Sequence, residues 1–386
     1  MNWKKRKDKH FFKIILKLLL FLMFLYLLPS KQAAASTMGF SEIDYSEIQE
    51  VLDESMDYDN NIKFGDYVDR IISGEETFSI VAIAENLIEG IKAEVRANIT
   101  MFAQILSIAL FAAVFTNLSM AFKNNQVSET GYYITYLLLF ALIMSSFVVA
   151  SITASNVITK VLNFMKVLVP SYSLSIGFCS GTGSSLIYYE FALILISLAE
   201  FIIIKVVIPL INFYMLIGLA NNLSKEDMLS RLAALLESVI GWILKSLLAA
   251  VIGMQAIQGL ITPVIDEIKR SSLLKASETL PGIGVAFGGL AETVLSAGVL
   301  LKNSIGVAGL IVIVVICALP TIKILVIALI YKFTAAILQP VSDKRIVDCI
   351  GGSAKSTGLL LRTILIAAVL FMLSITIVAV STSTVI

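Results

Sequence analysis

Apolar and polar stretches alternate along this chain in blocks too long for a water-soluble fold. Ile99 to Phe122 and Tyr132 to Ala154 each approach or exceed the ~20 apolar residues needed to cross a bilayer. Lys123 to Glu129 forms a short polar turn between them. Val157 to Val169 is amphipathic, carries Lys160 and Lys166, and suits a helix lying in the headgroup layer. Leu186 to Ala220 is longer than one crossing and holds Pro209; it reads either as a kinked helix or as a crossing followed by a re-entrant piece. Leu236 to Ile261 crosses again after a polar stretch, Leu223 to Arg231. Pro263 to Leu280 is a charged connector, Ser304 to Leu338 is a second long segment with a proline inside, Gln339 to Lys355 is polar, and Leu359 to Val380 is the last span. The pattern predicts an all-α polytopic membrane protein with six to eight membrane helices.

The second half of this pattern repeats the first. At an offset of 111 residues, Val169-Pro170 meets Leu280-Pro281, Ile208-Pro209 meets Leu319-Pro320, and Gly177 meets Gly288. Further on the offset grows to 118, and Leu223 to Leu229 then resembles Val341 to Val347. The predicted organisation is a hairpin over 98–156, one membrane repeat over 157–262 and a second over 263–386. With six crossings the repeats are parallel, and Lys225, Arg231, Lys344, Arg345 and Lys355 share the cytoplasmic side. An odd number of crossings per copy would invert them.

The N-terminus is of a different kind. Lys4, Lys5, Arg6, Lys7, Lys9 and Lys13 precede an apolar run from Ile14 to Leu28, and Ala33-Ala34-Ala35 follows. This is the layout of a secretory signal over 1–35, with cleavage expected after Ala35. The alternative is an uncleaved anchor. Residues 36–97 then hold fifteen carboxylates against four basic residues, with apolar positions at Ile43, Ile48, Val51, Leu52 and again at Phe64, Tyr67, Val68, Ile71, Ile72. Those spacings predict short amphipathic helices. Behind a signal sequence this acidic segment belongs outside the cytoplasm, either as a docking surface for partner proteins or as a solvated leader to the first span.

Composition narrows the chemistry. Of 386 residues, 58% are hydrophobic and 15% charged, with a net charge of +1. Soluble domains carry roughly 25% charge. Nothing in the chain suggests nucleic-acid binding. The single histidine, His10, lies in the signal, which removes histidine-based acid–base chemistry and most metal sites from the mature chain. Cys179, Cys317 and Cys349 are isolated and have no metal-ligand spacing. No cofactor is implied. Gly351 to Thr357 ends in Lys-Ser-Thr but lacks the first glycine of a phosphate loop.

What remains is charge and small residues at membrane depth. Glu190, Glu200, Lys205, Lys245, Glu292, Lys302, Lys323 and Lys332 fall within apolar segments. Such groups are costly there and are pathway candidates, although lysines near segment ends reach the headgroups. Glu200 and Lys205 form the most central pair, but their spacing of five suits a helical bridge poorly. The charges do not recur at matched positions of the two copies. The prolines and glycines named above, with Glu190, Glu200 and Lys205, are therefore candidate pathway or packing residues. The small-residue stretches Ser171 to Ser185 and Gly282 to Gly298 suit a re-entrant pore element or a close approach of helices.

Near the C-terminus the chain reads LIYKFTAAILQPVSDKRIVDCI, followed by a Gly/Ser-Lys turn and the last span. This stretch, with Gln339, Pro340, Asp343, Arg345 and Asp348, resembles the C-terminal signature of the stage III sporulation protein AE family. The order of signal, acidic outer segment and spans resembles that family too. The resemblance implies a non-enzymatic subunit of the channel or secretion-like complex that joins mother cell and forespore during endospore development. It implies a place in the mother-cell membrane facing the forespore, with residues 36–97 in the intermembrane space. Implied partners are ring-forming intermembrane subunits and a separate cytosolic ATPase, beside membrane lipid; self-association stays open. The family lends no catalytic residue. The alternative from the residues alone is an independent secondary transporter with its site between the two repeats.

Overall fold

The computed structural model describes residues 45–55, 63–73, 80–121, 125–180, 182–223, 228–277 and 284–381. The signal stretch and Pro281 lie outside the described residues. Within them every regular element is helical: α1 (Ser46–Ser55), α2 (Phe64–Ser73), α3 (Ile80–Ala121), α4 (Asn125–Ser180), α5 (Thr182–Ala199), a π-helical segment (Glu200–Val207), α6 (Ile208–Asn221), α7 (Ser230–Ser277), α8 (Gly284–Leu338) and α9 (Lys344–Ser381). Among the described residues six stretches are long and apolar enough to cross a membrane: Ile88–Phe115, Glu129–Gly177, Ser185–Asn221, Ser230–Met254, Gly298–Leu338 and Lys344–Thr376. The chain is thus an all-helical multi-pass membrane protein with six candidate crossings among its described residues.

Residue pairs fix the directions of the long helices. Tyr331 Oη donates to the Ile143 carbonyl (3.3 Å), while Gly309 abuts Leu168 and Gly306 abuts Tyr172. Numbers on α8 fall as those on α4 rise, so the two run antiparallel. Tyr172 Oη donates to the Ile375 carbonyl and Arg345 reaches Glu129, so α9 runs with α4. Gly131 lies against Phe115, so α3 runs against α4; Gly90 lies beside Leu319 and Ile322, so α3 runs with α8. Helices α4, α8 and α9 form the densely packed centre, with α3 on the α4–α8 side and α7 against α5, α6 and α9.

The amphipathic stretch 157–169 is not a separate surface helix. It continues α4 without a break, because Val157, Ile158, Val161, Leu162, Phe164, Met165, Leu168 and Val169 bury their faces within the bundle. Helical spacing of apolar positions marks a packed face, and here another helix rather than lipid fills it. Pro170 also sits inside α4, and Pro320 inside α8; both helices continue through them. Proline removes one backbone bond from a helix, and neighbouring helices in a membrane bundle let this be tolerated.

The two Pro-split segments differ. Upstream of Pro209 the helix widens into the π segment, and the Ile208 N–H bonds back to the Ile203 carbonyl, a five-residue step. Such bulges absorb the mismatch that proline introduces. Pro209 then falls in the first turn of α6, directly after the widened segment.

The first small-residue stretch resolves as a tight reversal. Ser173 Oγ donates to the Ser185 carbonyl (2.9 Å), and Ser185 Oγ donates to the Ser173 carbonyl (2.6 Å). Gly177 faces Ser185, where a Cβ would lie 3.5 Å away. Small side chains here let α4 and α5 approach and exchange bonds, which is close helix packing rather than re-entry. Gly288 lies within α8, which carries the second stretch from Gly284 onward.

Ahead of the spans, α1 packs on α4 and α2 on α8. Ile48, Leu52, Phe64 and Val68 are buried, as the amphipathic spacing predicts. Gln49 ties the pair: its Oε1 accepts the Phe64 N–H (2.8 Å), an unpaired donor at the start of α2. The Phe64 ring sits edge-on between Tyr45 and Phe164 of α4. Burial, helped by the Asp69 charge, pushes the Tyr45 phenol up to about 12.

Glycine at the α4–α8 contact is a steric requirement. A Cβ on Gly309 would come 2.7 Å from the buried Leu168 side chain, whereas one on Gly241 would meet nothing within 4 Å. Gly309→Ala is expected to destabilise by about 1–3 kcal/mol through overpacking. Gly241→Ala should be neutral or stabilising by up to ~1 kcal/mol through helix propensity. Thermal unfolding of the two variants in one detergent checks the contrast; equal melting temperatures would refute it.

Candidate functional site

One end of the bundle gathers a connected set of partly buried polar groups. Helix α8 stops at Leu338, and the Val341 and Ser342 N–H groups fold back onto the Leu338 carbonyl. Asp343 then opens α9: its Oδ1 accepts the Arg345 backbone N–H (2.8 Å), a standard N-cap contact. The same carboxylate holds the Arg345 side chain, with Nε 3.3 Å from Oδ1. Nη1 of Arg345 reaches Glu129 Oε1 at the start of the α4 span (3.4 Å), and its Cζ lies 3.5 Å from the Tyr132 ring centroid. The guanidinium is only 18% exposed. A planar fork that bonds carboxylates at its edge and stacks on an aromatic face is a task lysine cannot perform.

Tyrosines extend this clamp to a third helix. Tyr132 and Tyr136, one turn apart on α4, stack with centroids 5.6 Å apart. Tyr132 Oη donates to the Asn222 carbonyl (2.8 Å), and Tyr136 Oη donates to the Leu219 carbonyl. These acceptors lie in the last turn of α6 and at its cap residue Asn222, and the Leu219 carbonyl also takes the Asn222 N–H (3.2 Å). Asn222 Nδ2 donates to the Gly218 carbonyl (2.9 Å), and Asn221 Oδ1 accepts the Leu229 N–H (2.6 Å). Buried Cys349 of α9 faces Tyr136. Three helix ends are thus joined through Arg345, Tyr132 and Tyr136.

The sequence candidates divide around this geometry. Asp343 and Arg345 are its centre, while Gln339, Pro340 and Asp348 are exposed beside it. Glu200 pairs with Lys166 of α4 (3.0 Å), not with Lys205, and both partners are nearly half exposed. Glu190 and Lys205 are exposed on α5 and the π segment. Pro170 and Pro209 are exposed, and Gly177 and Pro320 half-buried. Glu190, Glu200 and Lys205 therefore do not converge on an interior seam, and the Glu292 side chain lies outside the described residues. Lys302 is fully buried in α8. A second ion pair, Lys355 with Glu237 (3.0 Å), links α9 to α7. Among the described residues no group of three or more His, Cys, Asp or Glu is placed to hold a metal.

Glu129, Tyr132, Tyr136 and Asn222 escaped sequence reasoning. Tyr132 and Tyr136 share one helix face four residues apart, which is the signal that could have drawn attention to them. Their partners lie 90 and 83 positions away, beyond any local pattern.

Arg345→Lys should destabilise the bundle by roughly 1–3 kcal/mol, since Glu129 and Asp343 stay partly buried with a poorer partner. Tyr136→Phe should cost about 0.5–1.5 kcal/mol, because the Leu219 carbonyl loses the hydroxyl but keeps the Asn222 N–H (3.2 Å). Thermal unfolding of Arg345→Gln, Glu129→Gln and the double variant should show a coupling of about 0.5 kcal/mol or more. Strict additivity would mean the contact carries no energy.

No solved structure matches this chain. A similar curated protein is the stage III sporulation protein AE of Bacillus subtilis (strain 168), 29% identical over 308 residues, covering 80% of this chain and 77% of that protein. The family model for stage III sporulation protein AE matches residues 62–382, which takes in the six candidate spans of the described residues and the Arg345 clamp. The chain belongs to the stage III sporulation protein AE family.

Proposed function

We propose that this sporulation membrane protein is a non-enzymatic subunit of a channel or secretion-like complex between mother cell and forespore. The observation that carries the reading is how the described polar groups are used. Arg345, Glu129, Asp343 and the two tyrosines join helix ends. Glu190, Glu200 and Lys205 face outward instead of meeting between the repeats. That distribution suits a rigid membrane platform better than a carrier, which binds its substrate at a polar seam near the membrane midplane. Cargo energy then comes from a separate ATPase, and the chain sits in the mother-cell membrane.

The acidic segment is the contact to intermembrane partners in this reading. Its apolar faces are consumed against α4 and α8, which leaves Glu47, Glu50, Asp53, Glu54, Asp66 and Asp69 exposed on the outer face of α1 and α2. A fixed acidic surface favours a basic partner through electrostatic complementarity.

Crosslinking in sporulating cells should capture other sporulation proteins on this chain, and the purified chain alone should move no solute. Changing Glu47, Glu50, Asp53 and Glu54 together to their amides should lower partner capture about ten-fold or more with the melting temperature unchanged. Solute transport by the reconstituted chain, lost in Glu200→Gln or Glu190→Gln, would establish the carrier instead. Undiminished capture by the four-fold variant would remove the acidic face from the assembly.

A further inference from the structure

The outer surface of the bundle carries a second message, in the heights at which charge appears on its two sides. On the α3 side, Glu89, Lys92 and Arg96 are exposed, and the apolar run of α3 begins only after them. Gly90 lies beside Leu319 and Ile322, so these charges stand around the middle of the α8 span Gly298–Leu338. The exposed acids of α1 and α2 lie on this side as well, since those helices pack on α4 and α8, with Phe64 against Phe164. None of these groups tolerates hydrocarbon. Lipid on the α3 side therefore covers only the half of the bundle nearer Arg345, where Leu110, Phe111 and Val114 are exposed.

The α7 side is reversed. Near the Arg345 end it shows exposed Arg231 and the Lys355–Glu237 pair, whose lysine is 56% exposed. Trp242, 70% exposed, follows, with exposed Lys245 one turn on. Tryptophan beside lysine is the usual signature of a headgroup layer. Beyond it come exposed Ala249, Ala250 and Ile252, without a described charge. Lipid on this side covers the half away from Arg345. Because Glu237 meets Lys355, and Gly306 meets Ile375 across α8 and α9, Trp242 stands near the mid-height of the bundle.

We infer that the lipid-facing belt runs obliquely around the bundle, so that the helices cross the bilayer at a tilt. The belt on the α7 side starts about where the belt on the α3 side ends, an offset comparable with the ~30 Å hydrocarbon core. Tilting also accommodates length. The 49-residue span in α4 measures about 74 Å, far more than an upright crossing needs. The partner recognised by this surface is the bilayer itself, with phospholipid headgroups at Trp242, Lys245 and Lys355 on one flank and at Lys92 and Arg96 on the other.

Two measurements in phospholipid nanodiscs test the inference. The first reads Trp242 fluorescence in a Trp3→Phe chain with lipids brominated near the headgroup or deep in the acyl chain. An oblique belt gives stronger quenching by the shallow label; stronger quenching by the deep label, as an upright bundle requires at mid-height, overturns it. The second places single cysteines in a background in which Cys179, Cys317 and Cys349 are alanine. Phe111→Cys and Leu235→Cys lie near the Arg345 end on opposite sides; Ile88→Cys and Ala249→Cys lie near mid-height on opposite sides. An impermeant maleimide should label Leu235→Cys and Ile88→Cys roughly ten-fold or more faster than their counterparts, since lipid excludes the reagent. Equal rates within either pair overturn the oblique belt.

Discussion

Hydrocarbon offers no hydrogen bonds, and that single fact governs where this protein places its polar groups. A helix satisfies its interior backbone and leaves its ends open, so in a long bundle the difficulty concentrates at the termini. Here the last turn of α6 is closed by hydroxyls from α4, and the first turn of α9 by its own Asp343. Arg345 then uses the same aspartate and the face of one of those tyrosines. The closing of one helix end is thereby made conditional on the positions of two other helices.

The same constraint explains the hydroxyl bonding elsewhere. Thr135, Thr334, Ser353, Thr357 and Thr363 bond back to carbonyls of their own helices, which hides them in the bundle at small cost. Bonds between helices are fewer and occur where backbones come close, as at Ser173–Ser185 and Ser151–Asn212. Apolar packing of α4, α8 and α9 supplies the bulk of the contact area, and the polar bonds set register.

How far the sequence could be read followed the range of the interaction involved. Helical class, the membrane setting and the buried faces of α1 and α2 all depend on local periodicity, and they were legible at Ile48, Leu52, Phe64 and Val68. The stretch 157–169 was misleading for a physical reason: an apolar stripe looks the same whether lipid or another helix covers it. Glu200 showed the same limit, since its partner Lys166 lies 34 positions back on another helix. Of the signature residues, Arg345 gained a structural role because it reaches α4, and Asp343 because it caps α9 and holds that arginine, while Gln339, Pro340 and Asp348 stay at the surface. The two Pro-split segments accommodate proline differently, with a π segment before Pro209 and an unbroken helix through Pro320.

The bonds of this bundle also differ in when they can form. The serine clasp joins residues 12 positions apart and is available as soon as α5 has been synthesised, because short loops close quickly. The Arg345–Glu129 bridge spans 216 positions and must wait until nearly the whole chain has entered the membrane. Until then the α6 end has its tyrosines but α4 lacks its arginine, and the carboxylate of Glu129 stands without that cation. The clamp therefore marks completion of synthesis: a chain truncated before residue 345 keeps its early hairpin yet exposes an unfinished end, a difference that membrane quality control could recognise.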